Sequence, residues 1–170
     1  MTTTLQAGRE IHGKAFEIGR YPELVRVLRY DNRAVVARYV KEFSLSNREA
    51  ELLFDDVKRF LWLNFVSGVI APPPKIDEAW HIFIIFTKDY AEFCQTIFGR
   101  FMHHRPRRPE DPPNDGTTAR RTIQAVGEHF GGFSKLSINW VISASNIRAE
   151  QCSSDGVQCA PEPSCSSSLN

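Results

Sequence analysis

The chain has 170 residues, enough for one domain with a sizeable core. Its 21 basic and 20 acidic residues leave a formal charge of +1, and 42% of its residues are hydrophobic. That balance excludes wholesale disorder, and it lacks the large basic excess of a chain built to bind nucleic acid.

The longest apolar run, Ile82 to Phe86, falls far short of the roughly 18 residues a membrane span needs, so no membrane partner is expected. The start, Met1-Thr-Thr-Thr-Leu-Gln, lacks the basic-then-apolar shape of a secretion signal, and a cytoplasmic location is the expectation. Thiols stay reduced there, so the four cysteines are not expected to form a disulfide framework.

Residues 1–20 read as a polar lead-in with Gly8, Gly13 and Gly19. Residues 21–144 read as a helical domain. Asp31 or Asn32 can cap a helix whose apolar face is Val35, Val36, Tyr39, Val40 and Phe43. Ser44-Leu45-Ser46 breaks it, and Ser46 with Glu49 three residues on forms a capping box. The next helix carries Leu52, Leu53, Val57, Phe60, Leu61, Leu63 and Asn64, and ends near Ser67-Gly68. Pro72, Pro73 and Pro74 form a rigid stop. A long helix is expected from Ile76 to Phe98, closed by Gly99 and central because it is apolar nearly all round. Residues 105–116, with four prolines and six charges, read as a loop. Thr117 or Thr118 can cap a last helix through Ile123, Val126 and Phe130 to Gly131-Gly132, and Phe133 to Ile142 can dock on the bundle. Residues 145–170 read as a Ser/Cys-rich disordered tail. The expected fold is all-α: a single compact domain of four to five helices with a flexible C-terminal tail.

The chemistry concentrates on the 76–98 segment. At about 100° per residue, Asp77 and Lys88 lie about 40° and about 20° to one side of His81, and Glu92 about 20° to the other. The opposite side holds Ala79, Phe83, Phe86, Tyr90 and Ile97, flanked by Trp80 and Cys94. Asp77 and His81, at i and i+4, can share a ligand or bond each other. His103 and His104 follow the Gly99 turn and can fold back towards them. Three readings stay open. Asp77, His81, His103 and His104 hold a divalent transition metal, for which imidazole and carboxylate suit zinc, iron or copper. The same cluster works as a metal-dependent enzyme, or His81 and Asp77 form an acid/base pair. Or Asp77 and His81 are a purely structural pair in an interaction domain, with Asp77 favoured by the helix dipole. No catalytic residue can be assigned, and the partner, protein or small molecule, is not identified by the sequence.

Other residues carry weaker signals. Cys94 is expected to be a buried small hydrophobe, with a thiolate role as the alternative. Trp80 and Tyr90 read as core aromatics, Asn64 as solvent-exposed, and His129 as a C-terminal capping group. Cys152, Cys159 and Cys165 are spaced more loosely than the CxxC pairs of a zinc ribbon. Arg105, Arg107 and Arg108 form a basic patch that can stay solvated or meet an anionic ligand.

The motif Asp77-Glu-Ala-Trp-His81, preceded by the Pro72-Pro73-Pro74 turn, resembles the Asp-x-x-Trp-His motif of the glycine-rich domain-containing protein family. The run Phe86 to Cys94 and the later His103-His104-Arg105-Pro106 look like its short bacterial members. The resemblance spans roughly residues 45–106 and implies a helical domain, without supplying a reaction. The chain departs from the family at Phe83, where members often carry a second histidine, and in having a Ser/Cys-rich tail where theirs is glycine-rich.

Overall fold

A computed structural model describes residues 21–105, 109–110 and 116–142. The 1–20 lead-in and the whole of the 145–170 tail expectation, with its three cysteines, lie outside the described residues.

The described residues form six α-helices and no strand: α1 Pro22–Arg29, α2 Arg33–Phe43, α3 Asn47–Ser67, α4 Pro74–Ile85, α5 Thr87–Phe98 and α6 Thr117–Phe130. Two single 3₁₀ turns, Phe133–Lys135 and Ile138–Trp140, complete a single all-α domain. None of the helices is long and apolar enough to cross a membrane.

The helix starts follow from their capping residues. Asn32 accepts from the Ala34 and Val35 amides at the start of α2, both at 3.1 Å. Ser46 and Glu49 close a reciprocal capping box on α3. The structure gives α6 no side-chain cap: it begins after Gly116 in a left-handed conformation, and neither Thr117 nor Thr118 serves.

The centre of the bundle is α3, not the 76–98 segment. It touches α1, α2, α4 and α6, and its middle, Leu53 to Leu63, is buried on every side. That middle includes Asp55, Asp56, Lys58 and Arg59, which are at most 4% exposed. Buried charges need partners. Lys58 pairs with Asp55 at 2.9 Å and donates to the Leu28 and Tyr30 carbonyls at the end of α1. Asp56 accepts from Arg59, Ser137, Asn139 and Trp140, which ties the segment after α6 to the core.

The single helix expected over 76–98 is two helices. At Phe86 the backbone turns to φ −78°, ψ 62°, close to an inverse γ-turn. Residues ten apart in a straight helix stand about 15 Å apart along its axis. Here the Phe83 and Phe93 ring centroids are 5.4 Å apart, and the Trp80 indole reaches the Tyr90 hydroxyl at 3.0 Å. The break has a packing cause. An unbroken helix would point apolar side chains in all directions, whereas two helices folded on each other bury Ile76, Ala79, Trp80 and Phe83 from α4 with Tyr90, Phe93, Cys94 and Phe98 from α5. The bend leaves Ile85 71% exposed at the corner. It also dissolves the expected polar stripe, because Lys88 and Glu92 belong to a different helix from Asp77 and His81.

A candidate metal centre at the start of α4

Asp77 lies in the first turn of α4, where the helix dipole favours an anion. One turn later His81 rises on the same face, its Nδ1 3.7 Å from the second carboxylate oxygen of Asp77. The chain leaves α5 at Gly99, in a left-handed conformation that glycine tolerates, and runs back without regular structure through residues 101–105. This return brings His104 onto α4. Its Nε2 lies 2.8 Å from Asp77 Oδ1, and its ring stands 4.2 Å from that of His81, centroid to centroid.

Three of the residues singled out from the sequence therefore meet. Asp77, His81 and His104 each offer one ligand atom, all within 4.8 Å of one another. His103 stands outside the trio: it is exposed and packs its ring on Phe101 at 4.8 Å. Burial is graded across the site. His104 is 12% exposed, Asp77 34% and His81 50%, so one side of the trio opens to water. A tetrahedral zinc ion sets its ligand atoms about 3.3 Å apart, so small side-chain rotations would bring these three into range. Such an ion would keep at least one position for water or another ligand.

The inner wall of the site is aromatic. Trp80 sets its ring edge-on to His104 at 4.4 Å, and Trp80 itself packs on Phe60 of α3. Tyr90 accepts from Trp80 Nε1 and donates to the Met102 carbonyl at 2.5 Å. Both aromatics are buried, as expected. Burial holds the Tyr90 hydroxyl far above its ordinary range. It also pushes the Cys94 thiol up, against a smaller opposing pull from the Met102 backbone. Cys94 is a fully buried free thiol on α5 and is not among the trio, in keeping with its reading as a small hydrophobe.

The remaining candidates lie elsewhere. His129, in the last turn of α6, meets the Tyr21 hydroxyl through Nδ1 at 3.1 Å and packs against Trp62. Asn64 is half-buried rather than exposed, and its side chain accepts from the Ile70 amide after α3. Arg105 is exposed, and Arg107 and Arg108 lie outside the described residues. An apolar cleft of about 470 Å³, lined by Ile123, Phe133, Leu136, Ile138 and Trp140 among others, shares no residue with the trio.

The model of the UCP032817-like family matches residues 21–126, more than half of the chain. The chain belongs to this family. UCP032817-like proteins form an uncharacterised family, and the match corrects the resemblance drawn from Asp77-Glu-Ala-Trp-His81. The resemblance rests on a few short motifs scattered over roughly residues 45–106, whereas the match runs from the start of α1 into α6. Nothing indicates a glycine-rich domain-containing protein. No curated protein and no solved structure matches the chain. The UCP032817-like region contains all of Asp77, Trp80, His81, Tyr90 and His104.

Proposed function

We propose that this domain is a metal-binding module that holds a divalent transition metal, with zinc, iron and copper as the candidates, through Asp77, His81 and His104. The observation that carries the reading is the meeting of three suitable ligand atoms within 4.8 Å from two separate stretches of chain. Two imidazoles and one carboxylate form a donor set that suits these ions. The half-exposed side at His81 gives the ion a way in and leaves room for an exogenous ligand. That open side is what a metal-dependent enzyme would also need, the ion then supplying Lewis acidity to a bound water or substrate. His103, exposed on Phe101, has no part in this version of the site.

A second reading has its own observation. The 2.8 Å contact between Asp77 and His104 is a complete hydrogen bond without any ion. As a structural latch it would fasten residues 101–105 to α4 in an interaction domain.

The two readings separate on metal content. Protein made without a histidine tag and reconstituted with zinc should retain about one equivalent after gel filtration. His81→Ala and His104→Ala should each lose it with helical circular dichroism preserved, whereas His103→Ala should keep it. A parent that retains no metal would leave the latch as the reading.

A further inference from the structure

Within the metal reading, one question is what keeps His104 on α4. Its ring nitrogen touches Asp77, but both groups would be ligands. A metal between them replaces their hydrogen bond with two bonds to the ion, because the imidazole nitrogen must give up its proton to coordinate. The loaded site therefore cannot use that contact as its support. Residues 101–105 have no helix or strand to hold them either.

The Tyr90 hydroxyl stands where it can supply that support, beside the Cys94 thiol that also meets the Met102 backbone. It is buried, it accepts the Trp80 indole N–H at 3.0 Å, and it donates to the Met102 carbonyl at 2.5 Å. Its ring also meets Phe101 edge-on at 5.2 Å. One hydroxyl thus fixes the backbone two residues before His104 and, through the indole, the ring on which His104 leans. Both contacts depend on the break at Phe86, which folds α5 back so that residues ten apart in sequence meet.

We infer that Tyr90, acting with Trp80, is a positioning residue for the metal centre: its hydroxyl sets the place of the His104 imidazole without touching the ion. This rests on the metal reading for its chemistry, but its geometric content stands in the metal-free protein as well. Outer-shell partners of metal ligands typically contribute 10–100-fold to affinity. Removing this hydroxyl should act on that scale and on one ligand only.

The test is Tyr90→Phe in the full-length chain, with Tyr39→Phe as its control. Tyr39 is an equally buried tyrosine that donates to a backbone carbonyl, Ala79, at 2.6 Å, and it has no contact with residues 101–105 among its described bonds. Cobalt(II) serves as the probe, its affinity read by chelator competition and its ligand set by the visible spectrum. Tyr90→Phe should weaken cobalt binding 10–100-fold and shift the visible spectrum of the bound cobalt away from that of the parent. Tyr39→Phe should lower the urea midpoint but keep the parental affinity and spectrum. Parental affinity and spectrum in Tyr90→Phe would overturn the inference, as would an equal loss in Tyr39→Phe. If Tyr90→Phe does not fold, Trp80→Phe takes its place, with the same expected and overturning spectra. If the parent binds no cobalt, the metal reading fails by itself. The ¹⁵N shift of the His104 imidazole in metal-free protein then decides the positioning claim: a shift towards free imidazole in Tyr90→Phe supports it, and an unchanged shift overturns it.

Discussion

Asp56 is 1% exposed and accepts from Arg59, Ser137, Asn139 and the Trp140 indole. A carboxylate in that position is tolerated only while its donors are in place, and removing one member of a buried ionic set typically destabilises by about 3–5 kcal/mol. Asp56→Ala should fall in that range, read from the urea midpoint, and should expose Trp140 to fluorescence quenchers. An effect below about 1 kcal/mol would mean that water reaches the site. The run Asp55-Asp56-Val57-Lys58-Arg59 gives little hint of this in the sequence. Its charges are paired at i and i+3, as they would be on a solvated face, and the sequence does not show that α1 and the 137–140 segment close over it. His104 was more legible. A histidine beyond a glycine turn, near an Asp/His pair one helical turn apart, already suggests a meeting. What the sequence could not choose was between His103 and His104, because residues 101–105 carry no periodicity that fixes which side chain faces inward.

The helix starts were legible for a different reason: caps are local chemistry. Asn32, Ser46 with Glu49, and the proline stop before α4 all act within a few residues. The break between α4 and α5 was not legible, because Ile84-Ile85-Phe86-Thr87 contains neither glycine nor proline. Only the two buried faces, which belong to tertiary packing, decide it. Asn32 joins these two levels. Its side-chain oxygen caps α2, while its amide nitrogen donates to Asp89 Oδ2 at 3.1 Å in the first turn of α5. Asp is ordinarily as good an N-cap as Asn. Here Asn32→Asp would keep the cap but face one carboxylate with another. A loss of about 1 kcal/mol is expected at pH 7, read from the urea midpoint. A variant as stable as the parent at pH 7 would show that Asp89 turns away freely.

At the scale of the whole molecule, the core holds several weak acids in their protonated forms. Burial raises Tyr39 and Tyr90 well above the ordinary tyrosine value and raises Cys94 above the ordinary thiol value. In the unfolded chain these groups lose their protons between about pH 8.5 and 11. The folded state then binds more protons than the unfolded one, so stability falls as pH rises through that window. The urea midpoint should be nearly level from pH 7 to 8 and drop steadily by pH 10.5. A midpoint unchanged at pH 10.5 would mean that these hydroxyls and the thiol ionise in place.

Asp77 and His104 are only 27 residues apart in sequence, and Trp80, His81, Tyr90 and Met102 lie between them. Closing a loop of that size costs about 1–2 kcal/mol less entropy than pairing the chain's distant ends. The α4–α5 hairpin and its return strand of chain can thus assemble before α6 and the 133–142 segment dock on α3. An ion captured by such an early substructure would lower the barrier on the way in rather than raise the one on the way out. Stopped-flow refolding would then quicken with added zinc, while the unfolding rate would stay where it was.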